Sequence, residues 1–174
     1  MNAQNGTDKM QLPTGVARKL ENKLAEREIT NYKIEVTSGA GKGDNYLGVI
    51  AKINIAGTDE SGKKINLNWI AKIAPENESL KSVLNVDALY AREVYIYEEI
   101  FPLYARFQDE RAALHPFDFH PIYVFQHLEE NCFVMEDLKS IGFIMKDRKL
   151  RLPASRGELL RDGGPEIYRI YHER

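Results

Sequence analysis

Three runs of alternating apolar and polar residues between positions 32 and 73 restrict the possible folds of this chain more than any other feature. A period of two places alternate side chains on one face of a strand, and that apolar face must pack against a core. The first run has Tyr32, Ile34 and Val36 on one face. The apolar positions of the next two runs are Leu47, Val49, Ala51, Ile53 and Ile55, then Ile65, Leu67, Trp69, Ala71 and Ile73. Turn-rich segments, 38–44 and 57–64, separate the runs and predict an antiparallel meander.

A helical pattern precedes the meander. Val16, Leu20 and Leu24 recur at every fourth position, with charged residues between them, and predict an amphipathic helix over residues 14–28. Residues 1–13 are polar and lack the apolar segment of a secretory signal, so we expect a polar N-terminal tail there.

Helical and extended patterns follow the meander in turn. Residues 76–110 carry a broad apolar stripe at helical spacing, and Pro102 must end or kink that helix because it lacks an N–H donor. Residues 122–126 and 132–136 have the pattern of two further strands. The whole order predicts an α+β fold: a five-stranded antiparallel sheet with a packed helix and an N-terminal helix.

The length and composition of the chain exclude several classes of protein. Its 174 residues suffice for one domain with a hydrophobic core. The 24 basic and 26 acidic residues give a net charge of −2, which excludes the strongly basic surface of a binder of nucleic acid or anionic membranes. The apolar runs are too short to cross a bilayer, and the single cysteine, Cys132, cannot form an intramolecular disulfide. We therefore expect a cytoplasmic protein.

Three features occur in an order that is typical of the N-terminal lobe (N-lobe) of a kinase. A glycine-rich turn joins the first two strands, Lys72 lies on the third strand, and Glu93 lies in the following helix. Glycines let backbone N–H groups approach phosphate oxygens, and Ile70, on the same strand face as Lys72, can cover an adenine ring. Alone, each feature also fits a structural role as a hairpin turn, an edge lysine or a solvent-facing glutamate. Their order and spacing together favour nucleotide binding.

Four sequence blocks carry a more specific signal. They are Gly43-Asp44-Asn45-Tyr46-Leu47, Ile70-Ala71-Lys72-Ile73-Ala74-Pro75, Tyr90-x-x-Glu93-x-x-x-Tyr97, and Phe133-Val134-Met135-Glu136-Asp137-Leu138 with Gly142-Phe143 and Asp147-Arg148. In these blocks the chain resembles the ecdysteroid kinase-like family, also called CHK kinase-like, which is related to choline and aminoglycoside kinases. The resemblance extends from about Gly15 to Arg148.

The resemblance implies a role for each matching residue. The loop over the nucleotide phosphates would comprise Gly43, Asp44, Asn45 and Tyr46. Lys72 would contact the α- and β-phosphates, and Glu93 would pair with it. Backbone groups of Glu136 and Leu138, in a hinge after the fifth strand, would form hydrogen bonds with adenine. The family phosphorylates a hydroxyl of small molecules, with ecdysteroids as the named substrate and with ATP and Mg²⁺ as co-substrates.

The catalytic parts that this chemistry requires are missing from the sequence. The family has an H-x-D-x-x-x-x-N loop and a later metal-binding Asp, both in a C-terminal lobe (C-lobe). The segment at His115 has the wrong spacing and precedes the hinge, and the Asp162-Gly163 pair follows no catalytic loop. We therefore expect an N-lobe over residues 14–145 and a divergent, flexible tail over 146–174. No Mg²⁺ ligands are identified. Such a chain has the pattern of a fragment, a splice form or a truncated gene model.

Two functional interpretations remain open at this stage. In the first, the chain is a catalytically incomplete piece of a small-molecule kinase whose substrate is a steroid-like hydroxyl compound. In the second, it is a non-catalytic interaction or regulatory module on a kinase-like scaffold, and the apolar cleft face supports self-association. His115 and His120 lack matching metal ligands, and Cys132 has the pattern of a buried apolar residue rather than a nucleophile.

Overall fold

A computed structural model describes residues 9–39, 48–75, 77–114, 116–117 and 120–143. Its α-helices are α1 (Thr14–Glu26), α2 (Glu78–Leu84), α3 (Val86–Tyr95) and α4 (Phe101–Glu110). Its strands are β1 (Thr30–Ser38), β2 (Val49–Thr58), β3 (Lys64–Ile73), β4 (Tyr123–His127) and β5 (Cys132–Glu136). A π-helical segment, Ile96–Ile100, joins α3 to α4, and a 3₁₀ turn spans Leu138–Ile141. The chain divides into two units, residues 1–137 and 138–174.

The five strands of the first unit form one sheet in the order β1-β2-β3-β5-β4. Every neighbouring pair is antiparallel, with Ala51 opposite Ala71 between β2 and β3 and Ala71 opposite Val134 between β3 and β5. This arrangement confirms the predicted α+β fold with a five-stranded antiparallel sheet. β3 lies at the centre of the sheet, so Lys72 has a hydrogen-bonded strand on each side.

Helix α1 covers one face of the sheet, as its period predicted. Val16, Leu20 and Leu24 are all buried and pack with the inward face of the strands. Trp69 is 4% exposed within the same cluster, and the Arg27 guanidinium lies 5.1 Å from its ring centroid. The apolar alternation of the three predicted strands therefore supplies the core on the α1 side.

Helix α3 covers the opposite face of the sheet. Val86, Tyr90 and Val94 are buried there against Phe133 and Met135 of β5. The residues of β3 that alternate with the α1-side core, which include Ile70 and Lys72, belong to this second face. The helix that carries Glu93 thus packs on the face that carries Lys72.

Two residues predicted to face the core are more exposed than expected. Tyr32 is 38% exposed, because β1 has an irregularity between Thr30 and Lys33 that shifts its register against β2. Val49 is 43% exposed, since β1 ends at Ser38, which pairs with Ala51, and Val49 has no β1 neighbour. Local alternation does not encode where a neighbouring strand bends or stops.

The helical stretch predicted over 76–110 is interrupted twice. Asn85 adopts a left-handed conformation (φ 47°) between α2 and α3, which asparagine tolerates better than most residues. Before Pro102 the helix widens into the π-helical segment, where the Phe101 N–H donates to the Ile96 carbonyl. A wider turn accommodates the missing donor and the ring of Pro102, so the chain stays helical through the proline.

Three predicted segments lie wholly or mostly outside the described residues. They are the N-terminal tail, of which residues 1–8 are not described, the tail at 146–174 and the phosphate-loop residues Gly43, Asp44, Asn45 and Tyr46. In the second unit the structure describes residues 138–143, where the Phe143 N–H donates to the Leu138 carbonyl. Among the described helices, none is both long and apolar enough to cross a membrane.

Candidate functional site

The candidate site is built around a salt bridge between Lys72 of β3 and Glu93 of α3. The Lys72 Nζ donates to Glu93 Oε2. The two side chains are 24% and 32% exposed, so the pair lies at the edge of the core rather than inside it. A partly exposed pair costs less to desolvate than a buried one, and it leaves the lysine accessible to an anion.

Two aromatic rings surround the lysine. Its Nζ lies 5.6 Å from the ring centroids of both Tyr90 and Phe133, within cation–π range. The two rings meet edge to face at 5.7 Å, and burial raises the pKa of the Tyr90 hydroxyl. The rings therefore restrict the path of the lysine stem toward Glu93. Tyr90 was not predicted as a site residue, although its position three residues before Glu93 places both on one helix face.

Gly48 is a second residue that the sequence analysis did not identify. It has a φ of +148°, and an added Cβ would overlap the Ile73 carbonyl oxygen and lie 2.5 Å from the Tyr90 hydroxyl oxygen. Glycine is therefore required where the segment after the glycine-rich turn enters β2. The sequence feature that could have identified Gly48 is its position five residues after Gly43 of the glycine-rich turn.

The predicted adenine contacts involve Ile70, Glu136 and Leu138. Ile70 is half-buried on the Lys72 face, two residues before the lysine, and packs against the α3-side cluster. The Glu136 N–H donates to the Ile122 carbonyl at 2.8 Å, so adenine would have to use the Glu136 carbonyl instead. Leu138 starts the 3₁₀ turn of the second unit. The roles of these three residues in nucleotide binding remain predictions.

The described residues do not fit a metal ion. Within the ranges that the structure describes, no group of three or more His, Cys, Asp or Glu side chains is arranged to hold one. His120 stacks on Phe101 with ring centroids 4.1 Å apart and an interplanar angle of 7°, which is a packing role. His115 and Asp118 lie outside the described residues. No step that requires Mg²⁺ is therefore assigned to these side chains.

The fold and the candidate site together define the structural class of this protein. An antiparallel sheet of this strand order, with a lysine on the third strand paired to a glutamate on the adjacent helix, is a kinase-like N-lobe. Residues 42–159, more than half of the chain, match the model of the ecdysteroid kinase-like family. The chain belongs to this family. The matched span contains every predicted site residue from Gly43 to Leu138 and extends beyond Arg148. Comparisons with curated proteins and with solved structures found no significant match.

Proposed function

We propose that this chain is the N-lobe portion of an ATP-dependent kinase that phosphorylates a hydroxyl of small, ecdysteroid-like molecules in the cytoplasm. We also propose that the 174 residues alone are catalytically inactive. The observation that carries the nucleotide-binding part is the Lys72–Glu93 salt bridge on the α3 face of the sheet. The family to which the chain belongs supports the phosphotransferase chemistry.

Each side chain has a defined task in this proposal. Lys72 neutralises charge on the α- and β-phosphates, and Glu93 keeps its ammonium extended toward them. Ile70 covers the adenine ring, while the Glu136 carbonyl and the Leu138 backbone form its hydrogen bonds. The glycine-rich loop, Gly43 to Tyr46, closes over the phosphates. Gly48 lies close to the Tyr90 hydroxyl, and the Tyr90 ring lies beside the Lys72 ammonium. These two residues therefore position the end of the glycine-rich loop next to the lysine.

The proposed inactivity follows from the missing catalytic parts. ATP would supply the phosphoryl group, but transfer also requires a carboxylate to orient the attacking hydroxyl and ligands for Mg²⁺. The sequence has no H-x-D-x-x-x-x-N segment, and the described residues do not form a metal site. Lys72 alone provides charge neutralisation without orientation of the nucleophile.

Calorimetric titration with ATP, with and without Mg²⁺, tests nucleotide binding by the 174-residue chain. We expect weak binding that falls about tenfold in Lys72→Ala, since a hydrogen bond between charged groups contributes about 1.5 kcal/mol. Lys64→Ala is the matched control: Lys64 is on the same strand and, by strand alternation, the same face, about 26 Å away along the strand. Equal binding by the wild type and Lys72→Ala would contradict the nucleotide site.

A radiolabel transfer assay with a hydroxylated steroid tests the proposed inactivity separately. We expect no phosphate transfer from ATP by the 174-residue chain. Robust transfer that Lys72→Ala abolishes would overturn the proposed inactivity while it supports the proposed site.

A non-catalytic interaction module is the second candidate function. One observation favours it: Leu103, Tyr104 and Phe107 of α4 are each about half exposed, and Phe107 follows Tyr104 by three residues and Leu103 by four. We expect concentration-dependent self-association in sedimentation velocity, reduced in the Leu103→Ser/Phe107→Ser variant. Val83→Ser, at an apolar α2 residue that is 82% exposed, is the control. A monomer at every concentration would contradict self-association through this face.

A further inference from the structure

A cleft of about 450 Å³ lies between α3 and the β4–β5 hairpin. Its lining includes Asp87, Tyr90, Val94, Glu129, Asn131 and Phe133. We propose that this cleft binds a small organic ammonium compound, with an apolar body and a protonated amine. The proposal rests on the cleft alone and does not depend on nucleotide binding by the chain.

The inner wall of the cleft is apolar and rigid. Tyr90, Val94 and Phe133 are each at most 5% exposed, and the Tyr90 and Phe133 rings pack edge to face. The volume falls in the range of small-molecule sites, about 300–1,000 Å³, which such sites line mainly with apolar and aromatic side chains. Because these three side chains are almost wholly buried, the apolar surface open to a ligand comes mainly from the exposed lining residues Ala91 and Leu128, and it suits an aromatic or aliphatic body of modest size.

The rim of the cleft sets the charge of the ligand. Asp87 and Glu129 are exposed acidic residues that line it, and none of its lining residues is a lysine or an arginine. The lining also includes His127, whose Nδ1 lies 3.6 Å from the Glu130 carboxylate. The Asn131 Nδ2 donates to Asp87 Oδ1 at 2.8 Å, which links the start of α3 to the β4–β5 turn. This hydrogen bond fixes one carboxylate at the mouth. A cation is favoured there and an anion is repelled.

The cleft also shares two residues with the surroundings of Lys72. Tyr90 and Phe133 line it, and the same two rings lie 5.6 Å from the Lys72 Nζ. Tyr90 and Phe133 are at most 5% exposed, so these two rings separate the cleft from the Lys72 ammonium. Neither Lys72 nor Glu93 lines the cleft.

Titration of ¹⁵N-labelled protein with phenethylammonium, followed by amide chemical shifts, tests the site directly. We expect saturable shifts centred on Ala91, Leu128 and Asn131. The comparison probe is 3-phenylpropionate, which has a similar apolar body and the opposite charge. We expect it to bind about fivefold more weakly, because a surface charge pair contributes up to about 1 kcal/mol. Equal affinities, or shifts that do not involve the cleft, would overturn the proposal.

Variants separate the contributions of charge and shape. Glu129→Gln should weaken phenethylammonium binding, and Glu60→Gln, an exposed acid in the β2–β3 turn, should not. Ala91→Phe, at an exposed lining residue of α3, should block the probe by filling the cleft. The circular dichroism spectrum establishes that each variant is folded. If Glu60→Gln weakens binding as much as Glu129→Gln, or Ala91→Phe binds normally, the site is elsewhere.

Discussion

At the scale of single residues, Gly48 shows how one backbone position supports the candidate site. Its φ of +148° is rarely adopted by residues with a side chain, and a Cβ would overlap the Ile73 carbonyl oxygen. We expect Gly48→Ala to lower the free energy of unfolding by about 2–4 kcal/mol, through strain and displacement of the β3 end. Urea denaturation measures the change.

Gly62 offers a matched control for this prediction. It also has a positive φ, +80°, but an added Cβ would meet no atom within 4 Å. Gly62→Ala should therefore cost only the backbone strain, about 1 kcal/mol. If both substitutions cost the same, the contact at Gly48 has no energetic role.

Cys132 gives a prediction about alkaline pH. Burial raises the pKa of its thiol to about 12, whereas the unfolded thiol ionises near pH 9. Above pH 9 the thiol of the unfolded chain ionises while the buried thiol of the folded chain stays protonated. The free energy of unfolding therefore falls as the pH rises above 9. From pH 8 to pH 10 the wild type should lose about 1.4 kcal/mol more than Cys132→Ala does. Urea denaturation at both pH values measures the difference, and parallel losses would contradict it.

At the scale of secondary-structure elements, α1 depends on a residue far along the chain. Pro13, which precedes α1, provides no side-chain cap for the helix. The Gly15 and Val16 N–H groups instead donate to the Glu130 carboxylate, at 3.1 and 2.8 Å. This carboxylate satisfies two N-terminal donors and lies at the positive end of the helix dipole.

Removal of this cap should loosen α1 selectively. We expect Glu130→Ala to lower the free energy of unfolding by about 1–2 kcal/mol, and Glu130→Gln by less, because the amide oxygen still accepts. Hydrogen exchange should show the loss of protection mainly in the first turn of α1. Glu129→Gln, at the preceding exposed residue, is the control. Unchanged protection of α1 in Glu130→Ala would contradict the capping role.

At the scale of the first unit, two apolar clusters share the central strands. The α1-side cluster includes Trp69 and Val134, and the α3-side cluster includes Phe133 and Met135. Because β3 and β5 contribute to both clusters on alternate residues, neither side can lose its packing without disturbing the other.

This shared architecture predicts cooperative unfolding of the first unit. Met135→Ala, on the α3 side, should cost about 2–4 kcal/mol. It should shift the urea midpoint of Trp69 fluorescence, which reports the α1 side, as far as the midpoint of far-UV circular dichroism. Trp69 is the only tryptophan, so its signal is unambiguous. A Trp69 transition that stays in place would indicate that the two sides unfold independently.

The sequence by itself determined the features that arise from local geometry. Periods of two and of about four residues follow from strand and helix backbones, so the five strands and α1 were predictable to within a few residues. The order of glycine turn, Lys72 and Glu93 likewise indicated a kinase-like lobe before any contact was known. Tertiary structure decided the rest. The capping of α1 by Glu130 and the contact of Gly48 with Tyr90 join residues distant in sequence, and Asn85 breaks a helix whose apolar pattern continues. Such features depend on where packed elements meet, which no local period encodes.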